Sequence, residues 1–147
     1  MNTAKVNSAP DVYLASIQFK RMVVVRLKHK VDLLDGLRTA VKQEQIKNAA
    51  ILAGIGSLTS FHVHQVNNTV FPLEEIFVRE EGPYDLLNVN GYVIEGRVHA
   101  HITFSDDQRS LGGHLESGTT IFTFAAVTLG VFDEGTSLER LDDLNWR

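Results

Sequence analysis

The sequence contains no cysteine. This absence excludes disulfide bonds, thiolate metal ligands and a cysteine nucleophile. A metal held by this chain must therefore be bound by histidine, carboxylate or water. The chain has six histidines. Many transition metals prefer ligands of the borderline type, and histidine is the only such residue that this sequence contains in number.

Long apolar runs are also missing. No stretch of 18 apolar residues could span a bilayer, and residues 1–11 lack the apolar core of a secretory signal. We therefore expect a soluble cytoplasmic protein. The 147 residues are 44% apolar, which suits one well-buried core and is too little chain for two ordinary domains. This predicts a polar N-terminal tail over residues 1–15 and one domain over residues 16–147.

The chain lacks an excess of positive charge, because its 18 Asp+Glu outnumber its 14 Lys+Arg and the net charge is −4. Proteins that grip phosphate backbones usually show a basic stripe. The densest basic patch is interpreted as the solvated face of a strand and its end; it comprises Lys20, Arg21, Arg26, Lys28 and Lys30. Direct binding of nucleic acid is therefore expected to be weak.

The apolar pattern predicts an α+β fold, a mostly antiparallel sheet with one principal amphipathic helix. The helix is expected near residues 33–48, after Asp32 as its N-cap, because Leu33, Leu37 and Val41 form one apolar stripe. Strands are predicted at Met22–Leu27, Ala49–Val66, Tyr84–Ile94, Val98–Ser105 and Thr119–Phe132. The last has apolar residues on both faces, which is typical of a central or interface strand. The state of residues 71–78 stays open.

Three of the histidines lie close together in the sequence, within residues 96–115. Apolar residues occupy every second position from Val98, so His99 and His101 are predicted to project from the same face of a strand. Glu95-Gly96 fits the two-residue turn that leads into this strand. Asp106 and Asp107 are expected to supply turn chemistry, and Gly112 and Gly113 to let the chain fold back, which would bring His114 near the strand.

Three neutral imidazoles can hold a divalent transition metal such as zinc, with a fourth position left for water or a ligand. His99, His101 and His114 are therefore a candidate metal site, with Gly96, Gly112 and Gly113 as its turns. The same pattern also fits histidines that face water or form hydrogen bonds. His62 and His64 repeat the H-x-H spacing. They either extend this pocket or belong to a polar strand face.

Other catalytic motifs are missing. The paired glycines follow an acidic loop and no lysine follows them, so they do not form a phosphate-binding loop. The sequence shows neither an H-E-x-x-H helix nor a recognisable Ser-His-Asp arrangement. Catalysis would therefore depend on a metal, and the sequence assigns no catalytic residue.

Five segments resemble the PPC (plants and prokaryotes conserved) domain family, in the order that the family shows. They are R-L-K-H-K-V-D-L-L-D-G-L (Arg26–Leu37), A-A-I-L-A-G-I-G-S-L-T-S (Ala49–Ser60), L-L-N-V-N-G-Y (Leu86–Tyr92), G-R-V-H-A-H (Gly96–His101) and G-G-H-L (Gly112–Leu115). The resemblance covers roughly residues 20 to 140. It implies an α+β domain that assembles as a homotrimer, with the signature histidines at His99, His101 and His114.

The family's biochemical role is mostly unassigned, and its free-standing members are often labelled as candidate DNA-binding proteins. This sequence departs from its relatives at two places. The Arg-Gly-Arg-Pro core of the plant AT-hook is missing, and Ala126 stands where the family commonly has a glutamate. Two functions stay open: an oligomeric binding or regulatory module with an unknown protein or small-molecule partner, and an enzyme that uses a histidine-bound zinc-type ion and water.

Overall fold

Six strands and one helix make up the regular structure of residues 8–147, the residues that the computed structural model describes. They are β1 (Phe19–Lys28), α1 (Leu33–Gln43), β2 (Ala49–Val66), β3 (Glu75–Ile94), β4 (Arg97–Ser105), β5 (Ser110–Leu115) and β6 (Thr120–Phe132). All strand pairs are antiparallel, which confirms the predicted α+β class. Of the predicted N-terminal tail (residues 1–15), residues 1–7 lie outside the described residues, and residues 8–15 form no helix or strand.

Helix α1 begins as predicted, because the Asp32 carboxylate accepts a hydrogen bond from the Asp35 N–H at 3.0 Å. Its apolar stripe is buried against the sheet. The helix ends at Gln43, earlier than the predicted Asn48. Gln45 adopts a left-handed backbone with φ of 53°, and this turn brings Ile46 into the core before β2 begins.

The sheet has the order β1-β6-β2-β3-β4-β5, and β5 also pairs with β2. Strand β2 is 18 residues long and changes partner along its length. Its first part pairs with β6, and its last part pairs with β5. Strands β2 to β5 therefore close into a ring, and their inward-facing apolar residues form the core together with those of β1, β6 and one side of α1.

Residues 71–78, whose secondary structure the sequence did not decide, form a loop followed by the start of a strand. Residues 75–78 begin β3, where Glu75 pairs with Val66 and Val78 pairs with Val63. The pairing with β2 explains the strand, whereas local sequence alone did not indicate it. Within the described residues, no helix is long and apolar enough to cross a membrane.

Candidate metal centre

The closure of the strand ring places histidines from three strands side by side. His114 on β5 pairs with His101 on β4 and with His64 on β2. His99 lies two residues before His101, and alternation places it on the same face of β4. Four imidazoles therefore lie together on the outer face of the sheet, and His114 is in the middle. We call these four residues the histidine cluster.

The spacing of the rings suits one small ion. The centroids of the predicted trio lie 4.8 Å apart for His99 and His114, 5.3 Å for His101 and His114, and 5.6 Å for His99 and His101. Three imidazoles around one zinc ion at ordinary Zn–N lengths have centroids about 5 Å apart. His64 stacks on the other side of His114 at 4.2 Å.

The ring nitrogens of the predicted trio do not yet converge. The rings of His99 and His101 are nearly parallel, with 11° between their planes, and the donor atoms of the trio do not all lie within 4.8 Å of one another. The set whose donor atoms all lie within 4.8 Å of one another is His64, His114 and Glu116. A hydrogen bond explains why these donor atoms lie close together without a metal, because His64 Nδ1 and Glu116 Oε1 are 2.6 Å apart.

The four imidazoles differ in which nitrogens are engaged. His64 faces a carboxylate on each side, Glu116 at Nδ1 and Glu75 at Nε2, where the distance is 3.4 Å. Nδ1 of His99 lies 3.3 Å from Oδ2 of Asp142, and Nε2 of His99 has no hydrogen-bond partner among the described residues. The Nδ1 of His114 is buried, lies 3.4 Å from Glu116 and has no hydrogen bond among the described residues. A buried nitrogen without a partner fits a site that a metal or water would complete.

Electrostatics favour the neutral imidazoles that metals bind. Burial, followed by the neighbouring His99 and His64, lowers the pKa of His101. Burial and three neighbouring histidines lower the pKa of His114 and outweigh the opposing effect of Glu116. Both rings therefore stay neutral to a lower pH than a free imidazole does. Burial would raise the pKa of Asp142, but the hydrogen bonds from Arg97 and His99 outweigh it and lower that pKa, so its carboxylate is ionised.

Two predicted turns are confirmed, and the turn role predicted for Gly112 and Gly113 is wrong. Glu95 and Gly96 have φ of 49° and 81°, as the two-residue turn before β4 requires. The chain turns at residues 106–109, which confirms the turn expected at Asp106 and Asp107, whereas Gly112 and Gly113 are strand residues of β5 and not part of a turn. These two glycines instead allow close strand contact, since a Cβ on either would lie 2.8 Å from a carbonyl oxygen of β4 or β2.

His62 does not join the cluster. Its Nδ1 lies 2.7 Å from the Ser117 carbonyl, and no ring contact among residues 8–147 joins it to another histidine. The carboxylates beside the cluster, Glu116 and Asp142, carried no sequence signal as site residues. Ala126, where the family resemblance implies a glutamate, lies on β6, which pairs with β1 and β2 and not with β4 or β5.

A cavity of about 520 Å³ opens beside the cluster. It is lined by His99, His114 and Asp142 among others, and by Arg38 from α1 and Arg97 from β4. The cavity gives water or a small molecule access to two of the cluster's rings.

Solved structures with the same fold come from archaea and bacteria. A protein from Archaeoglobus fulgidus described as metal-containing is 20% identical, with a TM-score of 0.71 over 82% of this chain and 86% of that one. A PPC protein from Pyrococcus horikoshii is 22% identical, with a TM-score of 0.69 over 86% and 87%. A "putative DNA-binding protein" from Bacteroides thetaiotaomicron is 20% identical, with a TM-score of 0.63 over 82% and 86%. At these identities the likeness shows the fold alone.

A curated relative is the bifunctional protein GlmU of Synechococcus sp. (strain JA-3-3Ab), which is 28% identical over 110 residues. The match covers 74% of this chain but 17% of that protein, so the chain spans about a sixth of its length. A model of the Plants and Prokaryotes Conserved domain, abbreviated PCC and also written PPC, matches residues 15–133. The chain therefore belongs to the PCC domain family.

Proposed function

We propose that this chain is a binding module whose histidine cluster holds a divalent transition metal, zinc or a similar ion, through His99, His101 and His114. The observation that carries the proposal is the spacing of these rings, 4.8–5.6 Å between centroids on two paired strands. The fold neighbour from Archaeoglobus fulgidus is described as metal-containing, which adds support. The proposal requires the rings to turn about their terminal torsion, which is broad for histidine, until their nitrogens meet at a common point.

The alternative ligand set, His64 with His114 and Glu116, is less favoured. Both nitrogens of His64 already face carboxylates, so an ion there would have to displace Glu116 or Glu75. His101 makes no side-chain hydrogen bond among the described residues, and the Nε2 of His99 is free. An ion bound by His99, His101 and His114 would therefore break fewer existing hydrogen bonds than an ion bound by His64, His114 and Glu116.

The cluster supports binding more than turnover. A metal held by three imidazoles would keep an open position, which water or a ligand in the adjoining cavity could take. A hydrolytic reaction would also need a free base near that water. The nearby carboxylates Glu116 and Asp142 are engaged with ring nitrogens. The enzyme alternative therefore gains no support from the described residues.

Zinc binding by the untagged protein tests the proposal. We expect calorimetric titration to show one zinc ion per chain, and elemental analysis after dialysis to retain it. A chelator-treated sample should regain the ion in the same ratio. Protein that retains no zinc and shows no binding heat with zinc, nickel or cobalt would contradict the proposal.

Direct DNA binding is not part of the proposed role. Two members of the basic patch pair with carboxylates, Lys20 with Glu134 and Arg21 with Glu44. The guanidinium of Arg26 lies over the Phe124 ring at 5.2 Å. With 18 Asp+Glu against 14 Lys+Arg and a net charge of −4, the chain as a whole is not suited to replace the counterions of a phosphate backbone.

We also propose that the module is a homotrimer. Three adjacent strands, β1, β6 and β2, expose apolar side chains on one region of the sheet, with Val24 70%, Ile55 57% and Phe122 49% exposed. A cavity of about 870 Å³ lies beside Ile55 and Phe122. Contiguous exposed apolar surface of this kind is typical of subunit interfaces.

Light scattering on the untagged chain should therefore report a mass three times that of the 16.4 kDa monomer. Val24→Glu is expected to lower that mass, because a carboxylate in an apolar interface is costly to desolvate. A wild-type chain that stays monomeric at micromolar concentration would overturn the trimer and leave the metal proposal standing.

A further inference from the structure

The segment after β6, residues 133–147, is docked against the domain. Leu138 is only 3% exposed, and the Asn48 side chain donates a 2.8 Å hydrogen bond to the Thr136 carbonyl. The segment lies almost entirely beyond residues 15–133, which the family model matches. The match to the family model therefore does not cover these contacts.

Docking of the segment places Asp142 beside the histidine cluster. Its carboxylate receives two hydrogen bonds of 3.3 Å from the Arg97 guanidinium, one at each oxygen. Oδ2 also lies 3.3 Å from Nδ1 of His99. The side chain is 18% exposed, so water screens these contacts less than it would on an open surface. The fork of Arg97 fixes the plane of the carboxylate and directs Oδ2 at the imidazole.

We propose that Asp142 is a positioning residue for the metal, a role that rests on the proposed function. An ionised carboxylate accepts the hydrogen of Nδ1, so His99 is held in the tautomer whose Nε2 carries the free lone pair. This bond also fixes the ring's orientation and makes Nε2 a stronger donor to an ion. Asp142 thus acts on the metal only through His99, and Arg97 keeps Asp142 in place.

We expect Asp142→Ala to weaken zinc binding by about 10–100-fold, which is the typical loss of metal affinity when a metal-bound histidine loses its carboxylate partner. Asp143→Ala is the matched control. It removes the same charge from the next residue, whose side chain contacts Arg140 and Asn145 and no histidine among the described residues. Asp142→Asn keeps an oxygen acceptor and the shape of the side chain, so it should lose less affinity than Asp142→Ala.

The tautomer of His99 gives a second readout that a merely structural role would not move. In the metal-free wild type, long-range ¹⁵N–¹H correlation spectra at neutral pH should show the hydrogen on Nδ1 of His99. Asp142→Ala should shift the hydrogen toward Nε2, whereas Asp143→Ala should leave it in place. This measurement needs no bound ion, so it stays informative even when the metal proposal fails.

The outcomes separate the two proposals. A wild type that binds no zinc contradicts the proposed function. A wild type that binds zinc, with Asp142→Ala binding it equally well, overturns the role of Asp142. Equal losses in Asp142→Ala and Asp143→Ala also overturn it, because they would reflect net charge. If Asp142→Ala does not fold, Asp142→Asn decides: an unchanged affinity together with a lost Nδ1 hydrogen refutes the inference.

Discussion

His101→Ala and His114→Ala should each weaken zinc binding by more than about 100-fold, since each removes one of three protein ligands and the loss should exceed that of an outer-sphere partner. A 100-fold loss corresponds to about 2.8 kcal/mol of binding free energy. His64→Ala should change the affinity far less, because Glu116 and Glu75 occupy the nitrogens of His64. Calorimetric titration of zinc into each untagged variant measures the difference.

His62→Ala is the matched control for these variants. His62 belongs to the same H-x-H pair as His64, but the His62 ring is hydrogen-bonded to the Ser117 carbonyl and lies outside the cluster. A larger loss of zinc affinity in His64→Ala than in His101→Ala would contradict the assignment of His99, His101 and His114 as the ligands. If His64→Ala and Glu116→Ala abolish binding while His101→Ala retains it, the ion sits in the set of His64, His114 and Glu116.

The second large effect is on stability, where Gly91→Ala should lower the free energy of unfolding by about 2–4 kcal/mol through overpacking and backbone strain. Gly91 pairs with Ala100, the residue between His99 and His101. A Cβ at this position would lie 2.1 Å from the His99 carbonyl oxygen and 2.9 Å from Cα of Ala100. Its φ of 139° adds strain for any L residue. The strands would have to separate beside the cluster.

Gly96→Ala is the control that separates space from conformation. Gly96 has φ of 81°, but a Cβ added to it would have no heavy atom within 4 Å beyond its chain neighbours. Only backbone strain remains there, which costs about 1–2 kcal/mol. Urea unfolding with an unchanged m-value compares the two variants. Equal losses would show that close contact between β3 and β4 does not constrain Gly91.

Local pattern predicted much of the fold. Alternation along β2, β4 and β6, the N-cap at Asp32 and the turn at Glu95-Gly96 act within a few residues, so the sequence indicates them directly. The end of α1 was missed, because burial of Ile46 overrides the helix pattern. Gly112 and Gly113 were misplaced, since a glycine that serves close strand contact is indistinguishable in sequence from one that serves a turn.

The cluster was only partly predictable. H-x-H spacing placed His99 and His101 on one face, but the position of His64 depends on the pairing of β2 with β5, a long-range contact. Glu116 and Asp142 depend on the same closure and on docking of the C-terminal segment. No local period encodes such contacts, and they decide which imidazole nitrogens are free.

X-ray absorption at the zinc edge of the loaded, untagged protein identifies the atoms that bind the ion. We expect a first shell of imidazole nitrogens at about 2.0–2.1 Å, with outer-shell scattering from three histidine rings and one lighter ligand at the open position. A shell with two imidazoles and a protein carboxylate, still present in His101→Ala and lost in Glu116→Ala, would contradict this expectation.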